Sequence, residues 1–119
     1  MKRVLIVDDS ISVARQLEKI ITGSGAFEVV GHAKNGAEAI RMSQTENPEI
    51  ICMDMNMPVM DGLTALRTLV AMNRGYKVVM VTSLGGVGDK YQEALKLGAH
   101  EVISKPFDEE SVLRVLQAL

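Results

Sequence analysis

The chain has 119 residues, the size of one domain, and its 47% hydrophobic and 24% charged residues are typical of a folded globular protein rather than a disordered one. Its formal net charge of −2 argues against a broad basic surface for nucleic acid or an anionic membrane. The lone cysteine, Cys52, cannot form an internal disulfide. The apolar residues 4–7, which follow the basic residues Lys2 and Arg3, are too few for a signal peptide or a membrane span. We therefore expect a cytoplasmic protein.

The first half of the chain alternates strand and helix patterns. Residues 4–7 predict a strand, and a helix pattern follows before Gly23. It is carried by apolar residues at helical spacing: Ile11, Ala14, Leu17 and Ile21. Residues 27–30 predict a short second strand. Asn35, with Glu38 three residues later, predicts the cap of a helix that ends before Pro48. Three of this helix's residues are predicted to face the sheet: Ala39, Ile40 and Ser43.

The second half repeats this plan. Residues 50–53 and 78–81 are apolar on both alternating faces, as in central strands covered on both sides. The helix between them presents one apolar face and ends near Gly75; that face is Leu63, Leu66, Leu69 and Val70. A helix over 89–97 and a strand over 101–104 follow. The last helix begins at the acids 108–110, and its buried stripe is Val112, Val115, Leu116 and Leu119.

Five strands alternating with five helices through short connections predict one α/β domain over residues 1–119. Such a chain forms a doubly wound, mainly parallel sheet with helices on both faces. Ligands of open parallel sheets bind beyond the carboxyl ends of the strands. Charged residues stand at those ends in this sequence: Asp8 and Asp9, Asp54, and Lys105. Three carboxylates at one point would repel one another, so the pattern indicates a hard, oxygen-seeking metal ion.

Four segments together resemble the receiver domain of bacterial two-component response regulators. They are residues 4–10, residues 53–62, residues 81–83, and Gly98-Ala99 followed by residues 104–107. They occur in the family's order, and the resemblance covers the whole chain. It implies a flavodoxin-like fold with strand order 2-1-3-4-5, which places the first and third strands side by side.

The resemblance also implies a reversible phosphorylation site. Asp54 would accept a phosphoryl group from a histidine kinase or phosphotransfer protein. Asp9, Asp54 and the backbone carbonyl of Asn56 would bind Mg2+, for which Mn2+ could substitute, and Asp8 would act through water or as a supporting acid. Thr82 and Lys105 would bind phosphoryl oxygens and change the protein's contacts with other proteins.

Family resemblance further suggests that the fourth helix, fifth strand and fifth helix form the face that contacts a downstream protein. We expect a monomer or weak dimer that acts as a switch rather than as a turnover enzyme. The Lys105-Pro106 bond is a candidate for the cis isomer. Val102 stands where many family members have a Tyr or Phe that turns inward, so the signal would pass mainly through loops, or the chain would act as a phosphate carrier. Tyr91 is an aromatic residue nearby, but the sequence does not assign it this role.

Two other classes compete with this interpretation. A phosphohydrolase of the haloacid dehalogenase type also uses Asp, Thr or Ser, Lys and Mg2+, but it needs an Asp-x-Asp spacing on the first strand, whereas Asp8 and Asp9 are adjacent. A phosphorylation-independent interaction module would not need the complete acid, Thr and Lys set. His32 and His100 lack partners at useful spacing. The glycines at 85, 86 and 88 predict a mobile loop rather than a nucleotide cradle.

Overall fold

The computed structural model describes residues 1–83 and 89–119, with side chains for 1–83 and 91–119. Strands and helices alternate through these residues as β1 (Lys2–Val7), α1 (Ile11–Gly23), β2 (Phe27–Ala33), α2 (Gly36–Glu46), β3 (Ile50–Asp54), α3 (Gly62–Ala71), β4 (Lys77–Thr82), α4 (Asp89–Lys96), β5 (Glu101–Ser104) and α5 (Glu109–Gln117). The predicted alternation is therefore confirmed. The predicted loop glycines at 85, 86 and 88 lie outside the described residues.

The strands form one parallel sheet in the order β2-β1-β3-β4-β5, as the resemblance implied. β1 and β3 are neighbours at its centre, and Val7 pairs with Met53 at their carboxyl ends. Because the strand order reverses between β1 and β3, the helices that follow these two strands leave on opposite faces of the sheet. The reversal opens a crevice at that edge.

Two apolar layers cover the sheet. Alternating strand residues such as Leu5 and Ile51 pack with the buried faces of α2 and α3. The residues between them, including Ile6 and Cys52, pack with α1 and α5 on the other face. This explains why residues 50–53 and 78–81 of the central strands are apolar at every position. Cys52 is buried in the core. The methionines near residue 54 also pack in this core: Met53 and Met55 are buried, and Met57 and Met60 are partly buried.

Side-chain caps fix where the helices start. Asn35 Oδ1 accepts the Glu38 N–H at 2.9 Å, and Glu38 Oε1 accepts the Lys34 N–H at 3.3 Å, close to the predicted capping pattern. Asp61 and Asp108 cap α3 and α5 through the Thr64 and Ser111 N–H groups. No helix among the described residues is both long and apolar enough to cross a membrane.

Several predicted boundaries and burial assignments were wrong. β2 continues to Ala33 because pairing with β1 extends through Gly31, which local sequence does not favour in a strand. α3 ends at Ala71, before the positive-φ residues Asn73 and Gly75.

Two predicted apolar contacts also differ. Ile11 begins α1 and is 58% exposed, since the first helical residue lies beyond the sheet edge. Val70 is 44% exposed on α3, whereas Leu66 and Leu69 of the same predicted stripe are buried.

Candidate functional site

Three carboxylates converge at the carboxyl edge of the sheet. Asp8, Asp9 and Asp54 each present one oxygen, and these oxygens lie within 4.8 Å of one another. The cause is the register of the central strands: Val7 pairs with Met53, so the next residue of each strand emerges at the same level. Asp8 and Asp54 are buried, while Asp9 is exposed. The arrangement offers a cluster of hard oxygen ligands that is open to solvent on one side.

Asp54 lies in an unfavourable place for a negative charge. Its side chain ends a fully buried strand, and the residue is only 6% exposed. Burial raises the pKa of the Asp54 carboxyl above its usual value, and the nearby Asp8 charge raises it further. Lys105 and the Asn56 N–H oppose that rise. A cation bound among the acids would therefore favour the ionised form of Asp54.

Lys105 is the positive charge that reaches this cluster. Its Nζ lies 3.2 Å from Asp8 Oδ2 and 3.4 Å from Asp54 Oδ1. The residue directly follows β5, where its N–H donates to the Thr82 carbonyl at 2.7 Å. The Lys105-Pro106 peptide bond is cis. The ammonium group thus bridges two acids that come from different strands.

Thr82 and Asn56 complete the predicted set. Thr82 is the last residue of β4, is 2% exposed, and pairs with Ser104 of β5. Because Asp54 pairs with Val81, Thr82 lies at the same edge as the acids. Asn56 is exposed, and its N–H donates to Asp54 Oδ1 at 3.4 Å. Every residue that the sequence nominated for the site therefore lies on this edge.

Two residues that shape the site had no role assigned from the sequence, although both lie in the motif segments 4–10 and 53–62. Ser10 donates its N–H to Asp8 Oδ1 at 2.9 Å, and its hydroxyl accepts the Val13 N–H at the start of α1. Gly62 packs against the end of β3, where an added Cβ would lie 2.3 Å from the Asp54 carbonyl oxygen. A serine directly before a helical pattern is a recognisable cap signal. The packing of Gly62 has no such signal.

His32 and Val102 lie away from the charged cluster. His32 Nε2 is 2.9 Å from Glu18 Oε1, which links β2 to α1. Val102 pairs with Met80 in the sheet and packs, partly buried, against the apolar layer that includes Tyr76 and Ala94. His32 therefore joins β2 to α1 through a side-chain contact, and Val102 contributes to packing.

A parallel sheet in this order, with helices on both faces and its charged cluster at the carboxyl edge, is a doubly wound α/β fold with a candidate site at the switch point of the sheet. The family model described as the response regulator receiver domain matches residues 4–117. The chain belongs to this family.

Among curated relatives, the chemotaxis protein CheY of Listeria monocytogenes is 38% identical over 117 residues, which cover 98% of this chain and 97% of the relative. A protein-glutamate methylesterase/protein-glutamine glutaminase of Rhodospirillum rubrum is 46% identical over 107 residues, covering 89% of this chain but 28% of that protein. The similarity to the second relative is therefore confined to a part of it.

A similar chain is also found in a solved structure of a protein complex. A chain of the CheX-CheY-BeF3-Mg+2 complex from Borrelia burgdorferi is similar to this chain, with a TM-score of 0.92 and 34% identity; the match covers 98% of this chain and 87% of that chain. The described backbone of this chain therefore has the fold of a receiver domain.

Proposed function

We propose that residues 1–119 form a single receiver domain of a two-component or phosphorelay system, in which Asp54 accepts a phosphoryl group. The observation that supports this most strongly is the setting of Asp54. Its carboxylate is buried, lies within 4.8 Å of two other acids, and has the Lys105 ammonium at 3.4 Å. An acid that served only to make the surface polar would not need to be buried beside two other carboxylates and an ammonium group.

The transfer step is a displacement at phosphorus. An oxygen of the ionised Asp54 carboxylate forms a P–O bond as the P–N bond of a phosphohistidine breaks, and the bonding electron pair leaves with the imidazole nitrogen, which takes up a proton. Lys105 helps to keep Asp54 ionised, because its charge lowers the pKa that burial raises. After transfer, Lys105 can bind a phosphoryl oxygen instead of the Asp54 carboxylate.

The acidic cluster suits a magnesium ion. We assign its ligands as Asp9, Asp54 and the Asn56 backbone carbonyl, with Asp8 acting through water or as a supporting acid. Mg2+ prefers oxygen ligands and keeps several waters, which agrees with the exposure of Asp9, and Mn2+ would substitute for it. When bound, the ion neutralises negative charge on the phosphoryl group being transferred.

Phosphorylation would act as a switch through the ends of β4 and β5. A phosphoryl group on Asp54 adds acceptor oxygens for the Thr82 hydroxyl and Lys105, and drawing these residues inward moves the loops behind them. The affected surface is α4, β5 and α5, which we propose as the face that contacts a downstream protein. Val102 of β5 has no ring to reorient, so we assign the signal mainly to these loops.

The phosphoryl donor in this proposal is a histidine kinase or a phosphotransfer protein, and the chain is a switch rather than a turnover enzyme. It would act as a monomer or weak dimer in the cytoplasm. A chemotaxis role is supported by relatives that carry that name, such as the Listeria protein at 38% identity. A relay role, in which the phosphoryl group passes on to another histidine, follows from the same chemistry.

Incubation with Mg2+ and a small acyl phosphate, followed by intact-mass measurement, tests the proposal. One added phosphoryl group is expected on the wild type and none on Asp54→Asn. Asp108→Asn is a matched control, because it makes the same substitution at an exposed acid far along the chain, the N-cap of α5, and asparagine also caps helices. Equal labelling of Asp54→Asn would disprove the assignment. Steady hydrolysis of a phosphomonoester would instead favour the phosphohydrolase class.

A further inference from the structure

Methionine side chains fill the spaces beside three glycines on the side of the sheet that α2 and α3 cover. At each of these glycines an added Cβ would lie 2.5 to 2.9 Å from a methionine side-chain carbon. The pairs are Gly31 with Met42, Gly36 with Met60, and Gly62 with Met80. Protein interiors packed this closely respond to a change of even one methylene group. An oxygen added to the sulfur of such a methionine must therefore displace its neighbours or leave the contact.

Met60 combines access to solvent with a contact at the loop of the acidic site. Met80 is completely buried, whereas Met60 is only partly buried and lies in the loop between β3 and α3. A Cβ on Gly36 would lie 2.9 Å from Met60 Cγ, and the Met60 carbonyl accepts the Gly36 N–H at 3.2 Å. Gly36 is the first residue of α2. Met60 thus joins the loop that follows Asp54 to the start of a neighbouring helix.

The loop depends on this contact because its backbone is strained. Val59 has a φ of 69°, and the Met60 N–H donates to the Pro58 carbonyl at 2.7 Å, which closes a γ-turn centred on Val59. A β-branched residue is disfavoured at positive φ, and such a conformation persists only where the surrounding structure holds it. Loss of the Met60 contact would therefore let Val59 relax toward extended backbone.

The same loop carries one of the assigned metal ligands. Asn56 donates its N–H to Asp54 Oδ1 at 3.4 Å, and its carbonyl is the backbone ligand of the proposed magnesium site. Because Asn56 is exposed, its position is set by the loop rather than by packing of its side chain. Groups that hold a ligand in place affect metal affinity without touching the metal. A change at Met60 is therefore expected to reach the metal site.

We infer that Met60 is an oxidation site through which a peroxide weakens magnesium binding and phosphoryl transfer at Asp54. The part that concerns magnesium rests on the proposed function. A lone pair of the Met60 sulfur forms an S–O bond to one oxygen of hydrogen peroxide as the O–O bond breaks, and the other oxygen leaves with both protons as water. The sulfur is oxidised by two electrons, and the peroxide is reduced by two.

The oxidised side chain no longer fits its place beside Gly36. Methionine sulfoxide is polar, and keeping it in the contact would bury an oxygen without a hydrogen-bond donor. The loop then separates from α2, and the Asn56 carbonyl is no longer held beside the acids. Because methionine sulfoxide reductases restore the thioether, the change is reversible.

Treatment of the wild type and of Met60→Leu with hydrogen peroxide tests this inference, because leucine keeps the apolar volume but has no sulfur. Peptide mass mapping should find a sulfoxide at Met60 of the treated wild type and none at Met80. The Mg2+ concentration that gives half of the maximal rise in Tm should increase about tenfold in the treated wild type. It should stay unchanged in treated Met60→Leu. In a chelating buffer, peroxide should lower the urea midpoint of the wild type more than that of Met60→Leu.

Met72→Leu is the matched control. Met72 is also partly buried, but it is the C-cap of α3, about 15 Å along the helix from the acidic edge. Peroxide should reduce the Mg2+ affinity of Met72→Leu as much as that of the wild type. Three results would overturn the inference: no sulfoxide at Met60 once Met72 has reacted, an unchanged Mg2+ affinity after oxidation of Met60, or an equal loss of affinity in Met60→Leu.

Failure of the proposed function would look different. An untreated wild type that neither responds to Mg2+ nor takes up a phosphoryl group from phosphoramidate would contradict that function. The urea midpoints without metal would then still decide whether oxidation of Met60 loosens the loop, and equal midpoint shifts in the wild type and Met60→Leu would show that it does not.

Discussion

The Lys105 ammonium lies 3.4 Å from the Asp54 carboxylate, although 51 positions separate the two residues in the sequence (105 − 54). The same Nζ lies 3.2 Å from Asp8. Among the described side chains, this one positive charge faces the two buried acids, and it only partly offsets the effect of burial, because the pKa of Asp54 remains raised. The site is therefore short of positive charge, which a metal ion or a change in protonation can supply.

Replacement of Lys105 by methionine should destabilise the metal-free protein. The change removes charge-assisted hydrogen bonding to Asp8 and Asp54 and leaves their repulsion uncompensated, and we expect a loss of about 1 to 3 kcal/mol in the free energy of unfolding. Urea denaturation at neutral pH measures it. Lys19→Met, at an exposed lysine of α1, is the control and should change stability by less than about 0.5 kcal/mol. Equal stability of the two variants would contradict the prediction.

Asp54 should make the metal-free protein less stable as the pH rises. Its pKa is higher in the folded state than the ordinary value of 3.8, so between those two values the folded protein binds more protons than the unfolded chain. Stability therefore falls with increasing pH across that window and is constant above it as far as Asp54 is concerned.

Asp54→Asn should remove this part of the pH dependence and raise the stability at neutral pH. The free energy of unfolding of the wild type and of Asp54→Asn is measured from about pH 3 to about pH 7 in a chelating buffer, and the two slopes against pH are compared. Asp108→Asn should not remove the same slope, because the pKa of Asp108 is lowered rather than raised. A wild-type stability that rises with pH more steeply than that of Asp54→Asn would show that the sign is wrong.

Magnesium should stabilise the folded protein. An ion that binds only the native state contributes about 2.7 kcal/mol when its concentration is 100 times Kd, which corresponds to a rise in Tm on the order of 10 °C for a domain of this size. Asp9→Ala should reduce this rise with little change in the Tm without metal, since Asp9 is exposed. Thermal unfolding with and without Mg2+ measures both effects. A full magnesium response in Asp9→Ala would remove Asp9 from the ligand set.

Periodicity and motif spacing predicted most of the site because its residues directly follow apolar strands. Asp8 and Asp54 end up together through the register of β1 and β3, and once the strands are recognised and the family supplies their order, their ends must meet. In the same way, Thr82 ends β4 and Lys105 directly follows β5. The residues at which the apolar runs end thus predict the position of the site.

Features that depend on distant packing were not predictable in this way. β2 extends to Ala33 because β1 provides hydrogen-bonding partners beyond Val30. The close packing of Gly62 on the Asp54 carbonyl depends on how the loop returns to α3. The positive φ of Val59 arises from the same loop, at a residue type whose intrinsic preference is for extended backbone. Local sequence patterns do not predict these tertiary contacts.

Val59→Asn should stabilise the protein. Asparagine tolerates the left-handed conformation better than valine, and Val59 is 85% exposed, so little packing is lost. Relief of strain should add about 1 kcal/mol to the free energy of unfolding. The midpoint of urea denaturation should rise while its slope stays constant, which assigns the change to stability rather than to the denatured state. Val70→Asn provides the contrast, because asparagine is a poor helix former and should destabilise α3. If Val59→Asn is no more stable than the wild type, valine is not strained at this turn.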